Sequence, residues 1–270
     1  TLRSVNINTG IHLNIIDYMS KIDMEDQPRK KYCNLVFDEM AIQPHLDVSF
    51  HANEIKIAGL QEINSKGERE KYIADKALVF MLTGINYKWT QPIACFFSKS
   101  GAKTFQLVEL LPQIISLVHL KTPFRILLST SDQGGPNRAA IRYLTTKSGF
   151  DGSDFKYTVD NSVILHNFDA CHLIKCLRNA MRDKHIRYAD GFAKWEDIEL
   201  LYEKDGQSVD SKLTKLSQLH IKPEGKMKMK VYLATQVFSN SVYSAMTLVN
   251  NFGCVNGTST AAFVKFCDTL

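Results

Sequence analysis

Short apolar runs with almost nothing polar inside them constrain this fold more than any other feature. Leu35-Val36-Phe37 in "CNLVFDEM", the run "ALVFMLTG" at 77–84, "PIACFFSK" at 91–98 and "FRILLST" around 124–130 are too short for ordinary helices and read as buried strands. Two of them end in carboxylates. "NLVFDEMAIQ" delivers Asp38 and Glu39, and "RILLSTSDQGGPNRAA" delivers Asp132 directly ahead of two glycines. Taken singly, Asp38 is explained as a strand-end turn residue and Asp132 as the start of a glycine turn. A metal site explains both only if the fold sets the two strands side by side.

The 270 residues allow one large domain or two ordinary ones. With 44% hydrophobic and 23% charged residues, the composition is that of a globular protein with a sizeable core. A net charge of +5 permits a polyanionic partner without requiring one. Six cysteines lie scattered without a CxxC pair, which favours a reducing compartment. "CHLIKC" at 171–176 reads as a helix with core cysteines rather than a zinc half-site. No apolar run approaches the roughly 18 residues of a bilayer span, so no membrane partner is expected. The chain opens on Thr1, and Phe263, Phe266, Cys267 and Leu270 keep helical spacing to its last residue, so a piece of a longer protein is expected.

Between the strands lie helical patterns. "KTFQLVELLPQIISLVHL" carries Val108, Leu111, Ile115 and Val118 at helical spacing, with Pro112 expected to kink it. "PNRAAIRYLTTK" has proline where a first helical turn tolerates it, and "SVILHNF" and "DACHLIKCLRNAMRDKHIRY" follow as strand and helix. The order β-β-β-α-β-α-β-α predicts an α/β, ribonuclease H-like mixed sheet in which the first and fourth strands are neighbours, followed by a second, mostly α-helical module. The boundaries expected are an N-terminal helix and linker over 1–32, the core over 33–168 and the helical module over 169–270, which the resemblance given below makes an insertion domain.

In that fold Asp38 and Asp132 meet, and paired carboxylates at strand ends suit Mg²⁺, a hard cation that prefers oxygen ligands. Two such ions about 4 Å apart serve phosphodiester chemistry. Glu39 points to the other face by the period of two and is assigned no metal. Asp169 is either a helix N-cap or a further ligand. Lys175, Arg178, Arg182, Lys184 and Arg187 are expected on a solvated helix face, with phosphate contact as the alternative. No GxxxxGK[ST] loop is present.

Four motifs in this order, "LVFDEMAIQPHLDVSF", "SDQGGPNRAAIRYL", "FDACHLIKCLRNAM" and "KMKMKVYLATQVFSNSVYSA", resemble the P-element transposase family, which includes the transposase-like part of THAP-domain proteins. The resemblance implies a nuclear cut-and-paste DNA transposase with Mg²⁺ as metal, GTP as cofactor, transposon ends and target DNA as partners, and a homo-oligomeric full-length protein. It makes Asp38 and Asp132 the first two catalytic carboxylates and places Lys230, Val231 and Ser239 near the guanine nucleotide, with Lys212 as a further phosphate contact. The family's third carboxylate, a glutamate, would lie beyond Leu270, and its zinc-coordinating THAP module is not among these residues, so this stretch alone is expected to cleave no DNA. The alternative is a domesticated, non-catalytic descendant that binds DNA or protein.

Overall fold

The run at Leu35 is the middle of a ten-residue strand, β2 (Tyr32–Ala41), and the first part of the chain is arranged around it. The computed structural model describes residues 9–23, 28–51, 54–64, 68–206, 212–251 and 257–269. The chain divides into two units, Thr1–Asp169 and Ala170–Leu270.

In the first unit, β1 (Gly10–Ile11) and α1 (Leu13–Ser20) precede β2. Then follow β3 (Asp47–His51), β4 (Glu54–Ala58), β5 (Lys76–Gly84), β6 (Thr90–Ser98), α2 (Thr104–Lys121), β7 (Arg125–Ser131), α3 (Gly135–Lys147), β8 (Lys156–Val159) and β9 (Ser162–Phe168). Seven strands form one sheet in the order β1-β6-β5-β2-β7-β9-β8, while β3 and β4 form a separate hairpin. β2 pairs antiparallel with β5 and parallel with β7, and β7 pairs parallel with β9. The expected adjacency of the first and fourth core strands, and the mixed ribonuclease H-like sheet, are therefore present. The alternating run at residues 54–58 belongs to the separate hairpin, and β8 is a four-residue edge strand that the sequence pattern did not announce.

One face of the sheet is the core. Cys33, Leu35 and Phe37 from β2, Phe80 and Leu82 from β5, and Ile126 from β7 are buried against Leu107, Leu111, Ile114 and Val118 of α2 and Ile141 of α3. α2 stays continuous through Pro112, whose side chain is half-buried. Each of these large side chains contributes roughly 1.5–3 kcal/mol by leaving water.

Toward β8 that face turns polar, and its polar groups satisfy one another. The Tyr157 hydroxyl donates to Ser129 Oγ at 3.1 Å, Ser129 Oγ meets His166 Nδ1 at 2.9 Å, and His166 Nε2 lies 3.4 Å from Ser131 Oγ. Ser131 Oγ in turn donates to the Asp132 carbonyl at 2.9 Å. This sequence of donors assigns the Nε2–H tautomer to a neutral His166. Burial drives its pKa down from 6.5 to about 4.

The second unit holds α4 (Ala170–Asp183), the hairpin β10 (Ile186–Tyr188) and β11 (Gly191–Ala193), α5 (Trp195–Gly206), α6 (Gln218–Ile221), a 3-10 turn at Gly225–Met229, α7 (Val231–Val237), α8 (Asn240–Asn251) and α9 (Thr258–Asp268). Its core gathers Trp195, Ile198, Leu201, Val237, Phe238, Met246, Phe263 and Val264. Helical spacing did not bury every residue on it, since Phe266 is largely exposed and α9 closes at Asp268.

Below about pH 6.5 the unfolded chain binds a proton that folded His166 refuses until about pH 4. Stability therefore falls as pH drops through that window, by up to roughly 3 kcal/mol. Urea denaturation at pH 7 and pH 4.5 should show this slope, and His166→Gln should flatten it; an unchanged slope would place the acid sensitivity elsewhere.

Candidate active site

β2 and β7 are adjacent parallel strands, with Asp38 inside the first and Asp132 just past the end of the second. Leu35 pairs with Ser129 and Val36 with Thr130, and counting two positions on from that last pair matches Asp38 with Asp132. The same counting across β7 and β9, where Ser131 pairs with Phe168, sets Asp132 beside Asp169. The Asp169 N–H continues the ladder by donating to Ser131 O at 2.8 Å. By the period of two, Asp38 lies on the face opposite buried Leu35 and Phe37. On that face Asn34 and Thr130 exchange hydrogen bonds at 3.1 and 3.2 Å.

Each carboxylate is held by one oxygen. Asp38 Oδ1 accepts from the Glu39 N–H at 2.8 Å. Asp132 Oδ1 accepts from the Gly134 N–H at 2.9 Å and from Asn137 Nδ2 at 2.6 Å, closing the turn that starts α3. A Cβ at Gly134 would lie 3.0 Å from that same oxygen, so the close approach suits glycine. The second oxygen of each aspartate has no partner among the described residues, and neither carboxylate forms an ion pair there. Neighbouring strands lie about 4.8 Å apart, and like charges directly opposite are unfavourable. A cation between them would remove that repulsion.

Glu39 points the other way, as its place on the strand requires, and its Oε1 accepts from the Ala102 N–H ahead of α2. No group of three His, Cys, Asp or Glu side chains that could hold a metal occurs among the described residues. Asp38 and Asp132 are thus two candidate ligands and not a closed cage.

The second unit places its candidates apart. Lys212 is exposed on the loop before α6. Lys230 is exposed at the N-cap of α7, and Val231 is the first residue of that helix. Ser239 follows its other end, where its hydroxyl donates to Gln236 O at 2.8 Å. None of the four lines the 540 Å³ cavity between Tyr188, Tyr243 and Lys265.

Two expectations about α4 need correction. Cys171 and Cys176 are exposed rather than in the core. The basic face is not uniformly solvated: Lys175 and Arg178 are buried, while Arg182 sits 6.0 Å over the Trp195 ring. Arg178 Nη2 donates to Lys228 O at 2.8 Å, gripping the 3-10 turn before Lys230, and Arg187 belongs to β10 rather than to the helix. Carbonyls supplied from 50 positions away leave no signal in helical spacing.

Comparison with known proteins agrees with this fold. Residues 7–145 match the TNP-like RNase H N-terminal domain, and residues 171–270 match the TNP-like GTP-binding insertion domain. The chain belongs to the TNP-like family of P-element transposases. It is 28% identical over 269 residues to the Transposable element P transposase of Drosophila melanogaster, covering 98% of this chain and 32% of that protein. It is 26% identical over 253 residues to the human DNA transposase THAP9, covering 88% of this chain and 26% of the relative. The chain thus spans about a quarter to a third of the length of these relatives. A Drosophila P element transposase strand transfer complex shares the fold at a TM-score of 0.78 and 24% identity, covering 99% of this chain and 55% of that one.

The two aspartates differ in what they do for the fold. Asp132→Ala removes the acceptor for Gly134 and Asn137 and should cost about 1 kcal/mol, the usual net contribution of such a hydrogen bond. Asp38→Ala removes an exposed charge facing a like charge and should be neutral or slightly stabilising. Equilibrium denaturation of both variants checks the difference.

Proposed function

We propose that the protein containing this chain is a DNA transposase that hydrolyses and rejoins phosphodiesters with Mg²⁺ held between Asp38 and Asp132, and that it takes GTP as a cofactor. The observation that supports the reading is the β2–β7 register, which, continued two positions past Val36 and Thr130, would match Asp38 with Asp132, each with one unengaged oxygen. Hard oxygen donors of that number and placement fit Mg²⁺, which keeps several waters and binds through one or two carboxylates. Bound there, Mg²⁺ would lower the pKa of an attacking water or hydroxyl and neutralise the leaving oxygen.

The chain's own residues do the positioning. Gly134 and Asn137 fix the Asp132 carboxylate, so it need not reorient when a ligand arrives. The Glu39 N–H does the same for Asp38. Two carboxylates are fewer than two-metal chemistry needs, and no third possible ligand gathers with them among the described residues. For the nucleotide, Lys212 and Lys230 would neutralise phosphate charge, Val231 would approach through its backbone, and the Ser239 hydroxyl would turn from Gln236 O to donate to the ligand. DNA as substrate accords with action in the nucleus, and joining two transposon ends accords with a homo-oligomer.

In the full-length protein, Asp38→Ala should reduce Mg²⁺-dependent strand cleavage to background while leaving DNA affinity within about twofold, because ligand loss removes metal and not basic surface. Cleavage that survives the substitution overturns the metal assignment. Calorimetry should show GTP bound more tightly than ATP and weakened by Lys230→Ala and Ser239→Ala; equal binding of the two nucleotides, or no effect of the substitutions, overturns the second part.

A further inference from the structure

A cavity of about 490 Å³ opens beside the Asp132 turn, between the start of α3 and the loop that leads into β8. Gln133 and Gly135 form its near wall, Arg138 and Arg142 its helical wall, and Gly152 and Phe155 the loop side. It lies at the carboxyl ends of parallel strands β7 and β9, where sheets of this class receive ligands. Its volume is in the range of small-ligand clefts, about 300–1,000 Å³.

Three features of this wall are chemical. Arg138 is exposed and its guanidinium has no hydrogen-bond or ionic partner among the described residues. Arg142, one turn on, passes close to Gly152, where a Cβ would sit 3.3 Å from its Cγ. Of the loop's two carboxylates, Asp154 is paired with Lys156 at 3.2 Å, which leaves Asp151 as the one that acts on Arg142, while Arg138 has no such partner among the described residues. Asp151 accepts from the Ser153 N–H and hydroxyl at 2.9 and 2.8 Å, and Arg142 adds to the lowering of its pKa.

The third feature is Phe155. Its backbone has φ +47°, a left-handed conformation that a bulky side chain rarely adopts. It is pinned there by the His166 N–H, which donates to Phe155 O at 2.6 Å, and by an edge-to-face contact with Phe168 at 5.4 Å. The outcome is an aromatic ring left 44% exposed on the cavity wall. Strained conformations of this kind concentrate at ligand sites.

We propose that this cavity receives an unpaired nucleotide of the DNA strand next to the scissile phosphate, its base stacked on Phe155 and its phosphate on Arg138 and Arg142. The assignment rests on the DNA-strand reading above and adds to it a positioning site that the Asp38–Asp132 pair does not contain. A flat ring beside two guanidinium groups fits a base joined to a phosphate, since stacking is tolerant of sequence and arginine binds phosphate in a planar fork. A double helix keeps its bases stacked on one another and presents none to such a ring.

The test uses a single-stranded oligonucleotide carrying 2-aminopurine, bound to the full-length protein in EDTA so that no cleavage intervenes. Binding should quench the probe. Phe155→Leu, which keeps apolar contact with Phe168, should abolish the quench and weaken binding about tenfold, whereas Phe155→Tyr should retain both. Arg138→Gln should lower the slope of log affinity against log salt by about 0.7, one phosphate on a single strand. Photocrosslinking of a 5-iodouracil oligonucleotide to the unsubstituted protein should label Phe155, which removes dependence on how the variants fold. Unchanged quenching and affinity in Phe155→Leu, crosslinks confined elsewhere, or equal displacement by a polyglutamate peptide of matched charge would each overturn the proposal. Those results leave Asp38-dependent cleavage untouched, and loss of the Asp38 effect leaves the stacking result untouched, so the two failures are distinguishable.

Discussion

One irregularity in one strand pair governs the site. Along β2 and β7 the parallel register runs Cys33 to Ile126 and then Asn34 to Leu128, leaving Leu127 as an extra residue on β7. Side chains alternate faces with a period of two, so a one-residue slip exchanges everything beyond it between faces. With the bulge, Ser129 and Ser131 join Leu35 and Phe37 on the core face, and Thr130 joins Val36 on the other. Without it, Asp38 would stand opposite Ser131, and the hydroxyls now bonded to His166 would face away from it. Bulges are uncommon in parallel pairs and often lie next to active sites, where they re-aim side chains.

Asp132 is then fixed from two directions. Its carboxylate closes the turn into α3 through Gly134 and Asn137, so the helix start and the candidate ligand are one feature. Its carbonyl accepts from Ser131, the end of the hydroxyl–imidazole series that begins at Tyr157 on β8. The edge strand β8 thereby ties the end of β7 to β9 through buried side chains as well as through the backbone ladder. A fully satisfied buried network of this kind confers rigidity, because each member left alone would carry the cost of an unmet polar group.

Much of this was legible in the sequence, for a physical reason that also explains the rest. β2, β5, β6, β7 and β9 are strands of seven to ten residues built on apolar runs, and α2 and α3 repeat at helical spacing, so local pattern sufficed to find these elements and to put Asp38 and Asp132 at the ends of apolar runs. β8 was not legible because "KYTV" is four residues long and owes its burial to Ser129 and Ile164 on other strands. The buried Arg178 was missed for a similar reason: its partner carbonyl arrives from the turn at Lys228. Nor could spacing anticipate that Leu127 is an extra residue, since its run is uniformly apolar. Local pattern reports which residues can be buried; pairing across the fold decides which way they face.

The same distinction bears on the two candidate sites. Asp38 and Asp132 belong to a frame whose register is enforced by a covered sheet, so their relation survives without a ligand. The candidate nucleotide contacts belong to short pieces: Lys230 caps a seven-residue helix, and Ser239 follows its far end with its hydroxyl engaged locally. A seven-residue helix rises about 10 Å along its axis, so a single ligand touching both must run along the helix or draw one end toward it. Arg178 limits which end can move, because its buried guanidinium anchors the 3-10 turn just ahead of Lys230. The Ser239 end is the less anchored one, and if Ser239 contacted a ligand, one hydroxyl rotation would exchange its bond to Gln236 for a bond to that ligand at little net cost.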